Sequence, residues 1–74
     1  MLKYIRFEES GFVLFKRERR HTSVAKMHEG ETPISAGFVA DIKGDTVCFG
    51  ESMTLGIQSA SCDTDLLNRL LRRV

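Results

Sequence analysis

The sequence predicts an α+β fold in which two β-hairpins form an antiparallel sheet, with a short middle helix and an amphipathic C-terminal helix, in the order ββαββα. Two observations lead to this prediction. Between Ile34 and Phe49, apolar residues alternate with more polar ones around a Gly-Asp turn, which is typical of a half-buried hairpin. From Thr64 to Arg73, leucines recur with helical spacing.

The length of the chain, 74 residues, predicts one small α+β domain over residues 1–74. A domain of this size hides only roughly 60% of the surface that its unfolded chain exposes. Its core therefore contributes only about 3–5 kcal/mol of stability, and such chains usually add disulfides, a metal or a partner subunit. Cys48 and Cys62 form no C-x-x-C pattern and are expected to be reduced. A partner subunit is the simplest remaining support.

The first hairpin is predicted over residues 2–15, and the length of its loop decides which side chains share a face. A two-residue loop at Ser10-Gly11 would mix polar and apolar groups on each face. A three-residue loop instead pairs apolar residues, Phe7 with Val13 and Ile5 with Phe15. It also puts Gly11 where such a hairpin favours a left-handed residue, so we expect the three-residue loop.

The opposite face of this hairpin is too apolar for an ordinary wetted surface. It carries Leu2, Tyr4, Arg6, Glu8, Phe12, Leu14 and Lys16. Either a helix of the same chain or the matching face of a second subunit should cover part of it, and the sequence leaves these alternatives open. If a second subunit covers it, the expected contact residues are Leu2, Tyr4, Phe12 and Leu14.

A short helix is predicted from Thr22 to His28, with Thr22 or Ser23 as its N-cap. The second hairpin follows, with a two-residue turn at Gly44-Asp45. Beyond Phe49, the segment from Gly50 to Gly56 is predicted to be a turn-rich connection. It lacks the Gly-Lys-Ser/Thr ending of a phosphate-binding loop, so we expect no such loop there.

The C-terminal helix is predicted from Thr64 to Arg73, with Asp63 as its N-cap. Acidic residues lie near its first turn and arginines fill its last turns, which complements the helix dipole by about 0.3–1 kcal/mol per charge. Its apolar stripe consists of Leu66, Leu67, Leu70, Leu71 and Val74. Such a stripe must pack on a sheet or on another helix.

Basic residues cluster in two places. They are Lys16, Arg17, Arg19 and Arg20 in one run, and Arg72 and Arg73 among those near the C-terminus. These groups suggest nucleic-acid binding, with the cations on phosphates and Tyr4 or Phe12 stacking on bases. The formal net charge of only +1 and the lack of a known nucleic-acid motif argue against it, because a charge run in a loop is usually just solvated.

No catalytic arrangement is evident, so we do not expect an enzyme. His21 and His28 provide too few convergent ligands for a metal site, and Cys48 has no recognisable base beside it. No cofactor is expected. The chain begins without an apolar run of signal-peptide length, and no segment approaches the ~18 apolar residues of a membrane span, so a cytoplasmic protein is the default expectation.

Three blocks of the sequence, at residues 7–15, 35–39 and 48–52, resemble a family of small uncharacterised bacterial proteins. The blocks read Phe7-Glu8-Glu9-Ser10-Gly11-Phe12-Val13-Leu14-Phe15, Ser35-Ala36-Gly37-Phe38-Val39 and Cys48-Phe49-Gly50-Glu51-Ser52. The resemblance spans most of the chain. It implies a bacterial, cytoplasmic setting and an origin in a mobile gene, and it implies no activity and no functional residue.

The interpretation that explains the most residues is a non-enzymatic, homo-oligomeric interaction or structural module, with a dimer favoured and a further protein partner allowed. It accounts for two apolar strand faces and a leucine-rich helix in a chain of 74 residues. Two alternatives stay open. The first is a nucleic-acid-binding protein that uses the basic run from Lys16 to Arg20, and the second is small-molecule binding at a subunit interface.

Overall fold

The computed structural model describes residues 1–72, which fold into an α+β domain with six strands and two helices. In chain order the elements are β1 (Leu2–Phe7), β2 (Gly11–Lys16), α1 (His21–Met27), β3 (Pro33–Ile42), β4 (Asp45–Phe49), β5 (Glu51–Ser52), β6 (Ile57–Gln58) and α2 (Asp63–Arg72). The α+β class and the antiparallel sheet are confirmed, whereas the predicted order ββαββα is not matched.

The order differs because β5 and β6 form a small second sheet between the second hairpin and α2, where the sequence predicted only turns. Each of these strands has two residues, which is too short to produce an alternating pattern. Gly50 and Gly56 have φ angles of 80° and 70°, which lets the chain turn sharply at both places. We call residues 51–58 the ribbon.

The main sheet has the strand order β2-β1-β3-β4, and all neighbouring strands are antiparallel. In the first hairpin, Phe7 pairs with Gly11 and Ile5 with Val13, so the predicted pairs were wrong by two residues. The loop does contain three residues, 8–10, and Gly11 has the expected left-handed φ of 82°. Because side chains alternate with period two, a slip of two residues left the predicted faces unchanged.

The turn of the second hairpin is at Lys43-Gly44, so the prediction of Gly44-Asp45 was wrong by one residue. Lys43 and Gly44 have φ angles of 52° and 85°. Positive φ at both central residues is the mark of a type I′ turn, in which glycine belongs at the second position. Asp45 therefore begins β4 and pairs with Ile42.

The core has two layers, one on each face of the sheet. On one face, α1 and the ribbon pack against strand residues, and the buried cluster there consists of Ile5, Phe7, Val24 and Ala36. On the other face, α2 covers a second cluster of Tyr4, Val39 and Leu67. A helix of the same chain therefore covers the central part of the face that the sequence left open between self-coverage and a partner.

Both helices start one residue earlier than predicted. Arg20 is the N-cap of α1 and makes no side-chain capping bond, so the prediction of Thr22 or Ser23 as N-cap was wrong. The side chain of His21, the first residue of α1, is buried, with Nε2 donating to the carbonyl oxygen of Gly37 at 3.0 Å. At the other end, α2 already includes Asp63.

The leucine stripe of α2 is only partly used within the chain. Leu67 is buried against the sheet, whereas Leu70 and Leu71 are each 46% exposed. Val74, the last residue of the predicted apolar stripe, and Arg73, one of the predicted basic residues, lie outside the described residues. Within residues 1–72, neither helix is long and apolar enough to cross a membrane.

Candidate functional site

The main sheet has two edge strands, β2 and β4, and the chain treats them differently. An edge strand presents backbone N–H and C=O groups that pair readily with another strand. Proteins usually block such edges with charges, proline, bulges or a covering element. How each edge is treated therefore indicates where another chain can attach.

The edge of β4 is closed by side chains of α2. The amide of Cys48 donates to Thr64 Oγ1 at 3.0 Å, and the Thr64 hydroxyl donates to the carbonyl oxygen of Cys48 at 3.4 Å. Asn68 Nδ2 donates to the carbonyl oxygen of Thr46 at 2.7 Å. Thr46 and Cys48 are the residues whose backbone groups alternate away from β3, so α2 occupies this edge.

The edge of β2 is open. The backbone N–H of Cys48 points away from β3. Along an antiparallel strand, successive residues direct their backbone groups alternately to the two sides, so the orientation of Cys48 determines that of each residue paired across the sheet. This alternation directs the backbone groups of three β2 residues away from β1, namely Phe12, Leu14 and Lys16, of which the carbonyl oxygen of Lys16 already accepts from the Arg19 amide at 3.0 Å. Among residues 1–72, no turn, loop or side-chain hydrogen bond reaches the N–H or C=O of Phe12 or Leu14.

Apolar side chains surround this open edge on the face that carries α2. Leu2 and Leu14 are each 40% exposed, and a shallow groove of about 220 Å³ joins them to Leu71. A second groove, of about 290 Å³, joins Phe12 to Leu70. We call these five residues together with the backbone edge of β2 the β2 surface.

Of the four residues predicted for an oligomer face, Leu2, Phe12 and Leu14 are accessible and Tyr4 is not. Tyr4 is fully buried beneath α2 and cannot meet another subunit, nor can it stack on a base. Its hydroxyl donates to the Asp63 carboxylate at 2.5 Å, and burial followed by this bond raises the pKa of Tyr4 far above its usual value. Phe12 lies beside Tyr4, with ring centroids 5.7 Å apart, and is partly exposed. Leu2 and Leu14 lie on the surface as expected.

The predicted basic run, from Lys16 to Arg20, is exposed; it begins at the last residue of β2 and continues through the connection to α1. Lys3 Nζ donates to the carbonyl oxygen of Arg19 at 2.8 Å, which ties this connection to β1. Arg17 lies 3.9 Å from Glu18, a weak surface contact. Arg72 is exposed in the last turn of α2, and Arg73 lies outside the described residues.

A groove that the sequence analysis missed lies on the α1 face, between β4, the ribbon and the start of α1. Its volume is about 470 Å³. Its lining includes Lys3, Arg20, His21, Phe38, Phe49 and Gly50. We call it the aromatic groove. The slipped turn hid it, because only the observed register pairs Phe38 with Phe49 across β3 and β4.

Two ionisable side chains inside the fold have structural roles. Burial alone would raise the pKa of Asp63, but hydrogen bonds from Tyr4 and the amide of Ala60, with the Arg6 guanidinium at 2.8 Å, hold it below its usual value. Burial raises the pKa of the Cys48 thiol to about 11, so this cysteine is protonated at neutral pH.

Both cysteines are free thiols. Within residues 1–72, no group of three or more histidine, cysteine, aspartate or glutamate side chains is arranged to hold a metal ion. Comparisons with family models, with curated proteins and with solved structures give no match to this chain. The resemblance to a family of small bacterial proteins therefore stays a prediction.

Proposed function

We propose that the protein is a non-enzymatic interaction module that forms a two-fold homodimer through the β2 surface. The supporting observation is the contrast between the two sheet edges. Three hydrogen bonds with the side chains of Thr64 and Asn68 occupy the edge of β4, while the edge of β2 has unpaired backbone groups beside exposed leucines. A second copy of β2 supplies the matching row of donors and acceptors.

The pairing is self-complementary about a two-fold axis. In an antiparallel arrangement centred on Leu14, the N–H and C=O of Leu14 in each copy face those of the other, and Phe12 lies opposite Lys16 of the second copy. The two four-stranded sheets then become one continuous sheet, with both α2 helices on the same face. Leu70 and Leu71 of the two copies lie beside the paired β2 strands on that face.

The composition of β2 favours this pairing. Among the three β2 residues whose backbone groups point away from β1, the charged one is Lys16, at the end of the strand. Protected edge strands usually carry charges or proline in the middle of the strand. The described chain exposes 5129 Å² in total. A stable interface takes about 800 Å² from each partner, which is roughly a sixth of that surface.

The test is sedimentation equilibrium of the wild-type protein and of Leu14→Pro, at concentrations from about 1 to 200 µM. Proline at this position removes an N–H that points away from β1, so the intrachain ladder is kept. Leu14→Thr is the matched control, because it also removes the leucine side chain but keeps the amide. If Leu14→Pro does not fold, Leu14→Lys tests the same edge by placing a charge in its centre.

We expect the wild-type protein to sediment at twice the protomer mass of 8.4 kDa. Leu14→Pro should be a monomer with an unchanged circular dichroism spectrum, and Leu14→Thr should still form the dimer, with weaker affinity. A wild-type monomer at about 200 µM would contradict the proposal. So would a folded Leu14→Pro variant that dimerises as well as Leu14→Thr, because the open backbone edge would then have no role.

A further inference from the structure

The aromatic groove has a row of side chains that comes from three strands. Lys3 pairs with Phe38, and Phe38 pairs with Phe49, so these residues lie side by side on the α1 face of the sheet. The ring centroids of Phe38 and Phe49 are 5.9 Å apart, with 32° between the ring planes. Phe49 is 39% exposed, so part of this residue is accessible to a ligand.

The fold holds these rings in place. His21 is buried and packs edge-on against Phe38, with centroids 6.0 Å apart and an interplanar angle of 88°. A Cβ atom at Gly50 would lie only 2.9 Å from the Phe38 ring, so glycine is required for the chain to pass this close. The groove is therefore already formed without a ligand, and its volume of about 470 Å³ is within the usual range of small-molecule sites.

Positive charge lies at one side of the groove. Arg20 and Lys3 line it, and the connection that carries Lys16, Arg17 and Arg19 leads away from it. Among residues 1–72, Arg20 makes no ion pair. One acidic residue of the lining, Glu51, belongs to the ribbon, two residues after Phe49 in the chain. An anionic group is thus favoured on the side of α1.

A flat ring beside a negative charge fits this arrangement best. Aromatic rings stack on Phe side chains, and every nucleobase has such a face whatever its sequence. An arginine guanidinium near the stacked rings can form charge-assisted hydrogen bonds with a phosphate. We propose that the aromatic groove binds one nucleotide unit, with its base against Phe49 and its phosphate at Arg20 and Lys3. That unit is either a free nucleotide or part of a single strand.

The test is a fluorescence-anisotropy titration with a labelled oligothymidylate of about ten nucleotides, followed by competition with free thymidine monophosphate. Variant Phe49→Leu removes the stacking ring and keeps an apolar side chain. Variant Arg20→Gln removes the cation at the groove. Arg69→Gln is the control, because it removes an equal charge from the exposed part of α2, on the opposite face of the sheet.

We expect Phe49→Leu to weaken binding by about 5- to 150-fold, the range for losing one stacked base. Arg20→Gln should weaken it and reduce the slope of log affinity against log salt by about 0.7, which is one phosphate contact on a single strand. Arg69→Gln should bind as the wild type does. If thymidine monophosphate binds as tightly as the oligothymidylate, the site is one for a free nucleotide. If it competes much more weakly, the site is one for a single strand.

Three results would overturn the proposal. One is no binding of either probe at low salt. A second is binding that Phe49→Leu leaves unchanged, because attraction to the basic run alone would then explain it. Equal binding of a duplex would have the same meaning, since its bases are already stacked. The result is separate from dimerisation, because Phe49→Leu should stay dimeric and Leu14→Pro should still bind the oligonucleotide.

Discussion

Replacing Asp63 with asparagine should destabilise the protein by about 2–3 kcal/mol. The Asp63 carboxylate is fully buried and anchors α2 to the sheet by accepting from Tyr4 at 2.5 Å and by pairing with Arg6 at 2.8 Å. Removing one partner of a buried ion pair costs about 3–5 kcal/mol. The expected loss is smaller because Arg6 is partly exposed and asparagine still accepts from Tyr4. A domain of this length has only about 4–11 kcal/mol of stability in all.

The loss should depend on pH in a defined direction. The folded-state pKa of Asp63 lies below its model-peptide value of 3.8, because the bonds from Tyr4 and Ala60 and the charge of Arg6 outweigh burial. As the pH falls, the unfolded chain therefore binds its proton first. The stabilisation is complete above pH 3.8 and is lost as the pH falls through the folded pKa. The difference between wild type and Asp63→Asn should shrink over that acid range.

The assay is urea unfolding followed by circular dichroism, at a fixed protomer concentration because association also affects stability. Asp65→Asn is the control. It removes the same charge from the first turn of α2 at an exposed position, and should cost only about 0.3–1 kcal/mol. If Asp63→Asn were no less stable than Asp65→Asn at neutral pH, the anchoring role of Asp63 would be wrong.

Two further changes test the packing around the sheet. Burial lowers the pKa of His21, so the stability of the wild-type protein should fall as the pH drops below 6.5. His21→Gln can still donate to Gly37, and its stability in urea unfolding should lack that fall. Parallel curves of stability against pH for the two proteins would contradict this. Replacing Thr64 and Asn68 together with alanine should uncover the edge of β4, so the Cys48 amide should exchange faster and aggregation should increase. Unchanged exchange at Cys48 would show that α2 does not close this edge.

The local sequence pattern predicted the four strands of the main sheet, but not their pairing, and it did not predict the burial along β3, where Ile34 and Ile42 are exposed and Val39 on the other face is buried. The faces of the first hairpin were right because hydrophobic alternation has a period of two, and a slip of two residues keeps that period. In the second hairpin, both Lys43-Gly44 and Gly44-Asp45 contain the glycine that a tight turn needs. Composition alone did not decide between them, because Lys43 adopts a positive φ that lysine seldom takes.

The candidate sites depended on contacts between elements that are distant in the sequence. Thr64 and Asn68 read as ordinary helix residues until α2 is placed beside β4. Phe38 and Phe49 become neighbours only in the observed register. The sequence alone showed the basic run, but not that it lies next to the aromatic groove. That position depends on Lys3, which binds the connection between β2 and α1 to β1. Such tertiary placement is not encoded in local periodicity.

The most direct test of the proposed dimer is amide hydrogen exchange at Phe12 and Leu14, measured in dilute and in concentrated solution. The Cys48 amide is the internal reference, because Thr64 binds it within one chain at any concentration. The open β2 edge predicts that Phe12 and Leu14 exchange quickly when dilute and become protected as the protein is concentrated, while Cys48 stays protected throughout. Fast exchange of Phe12 and Leu14 at the highest concentration would contradict the dimer.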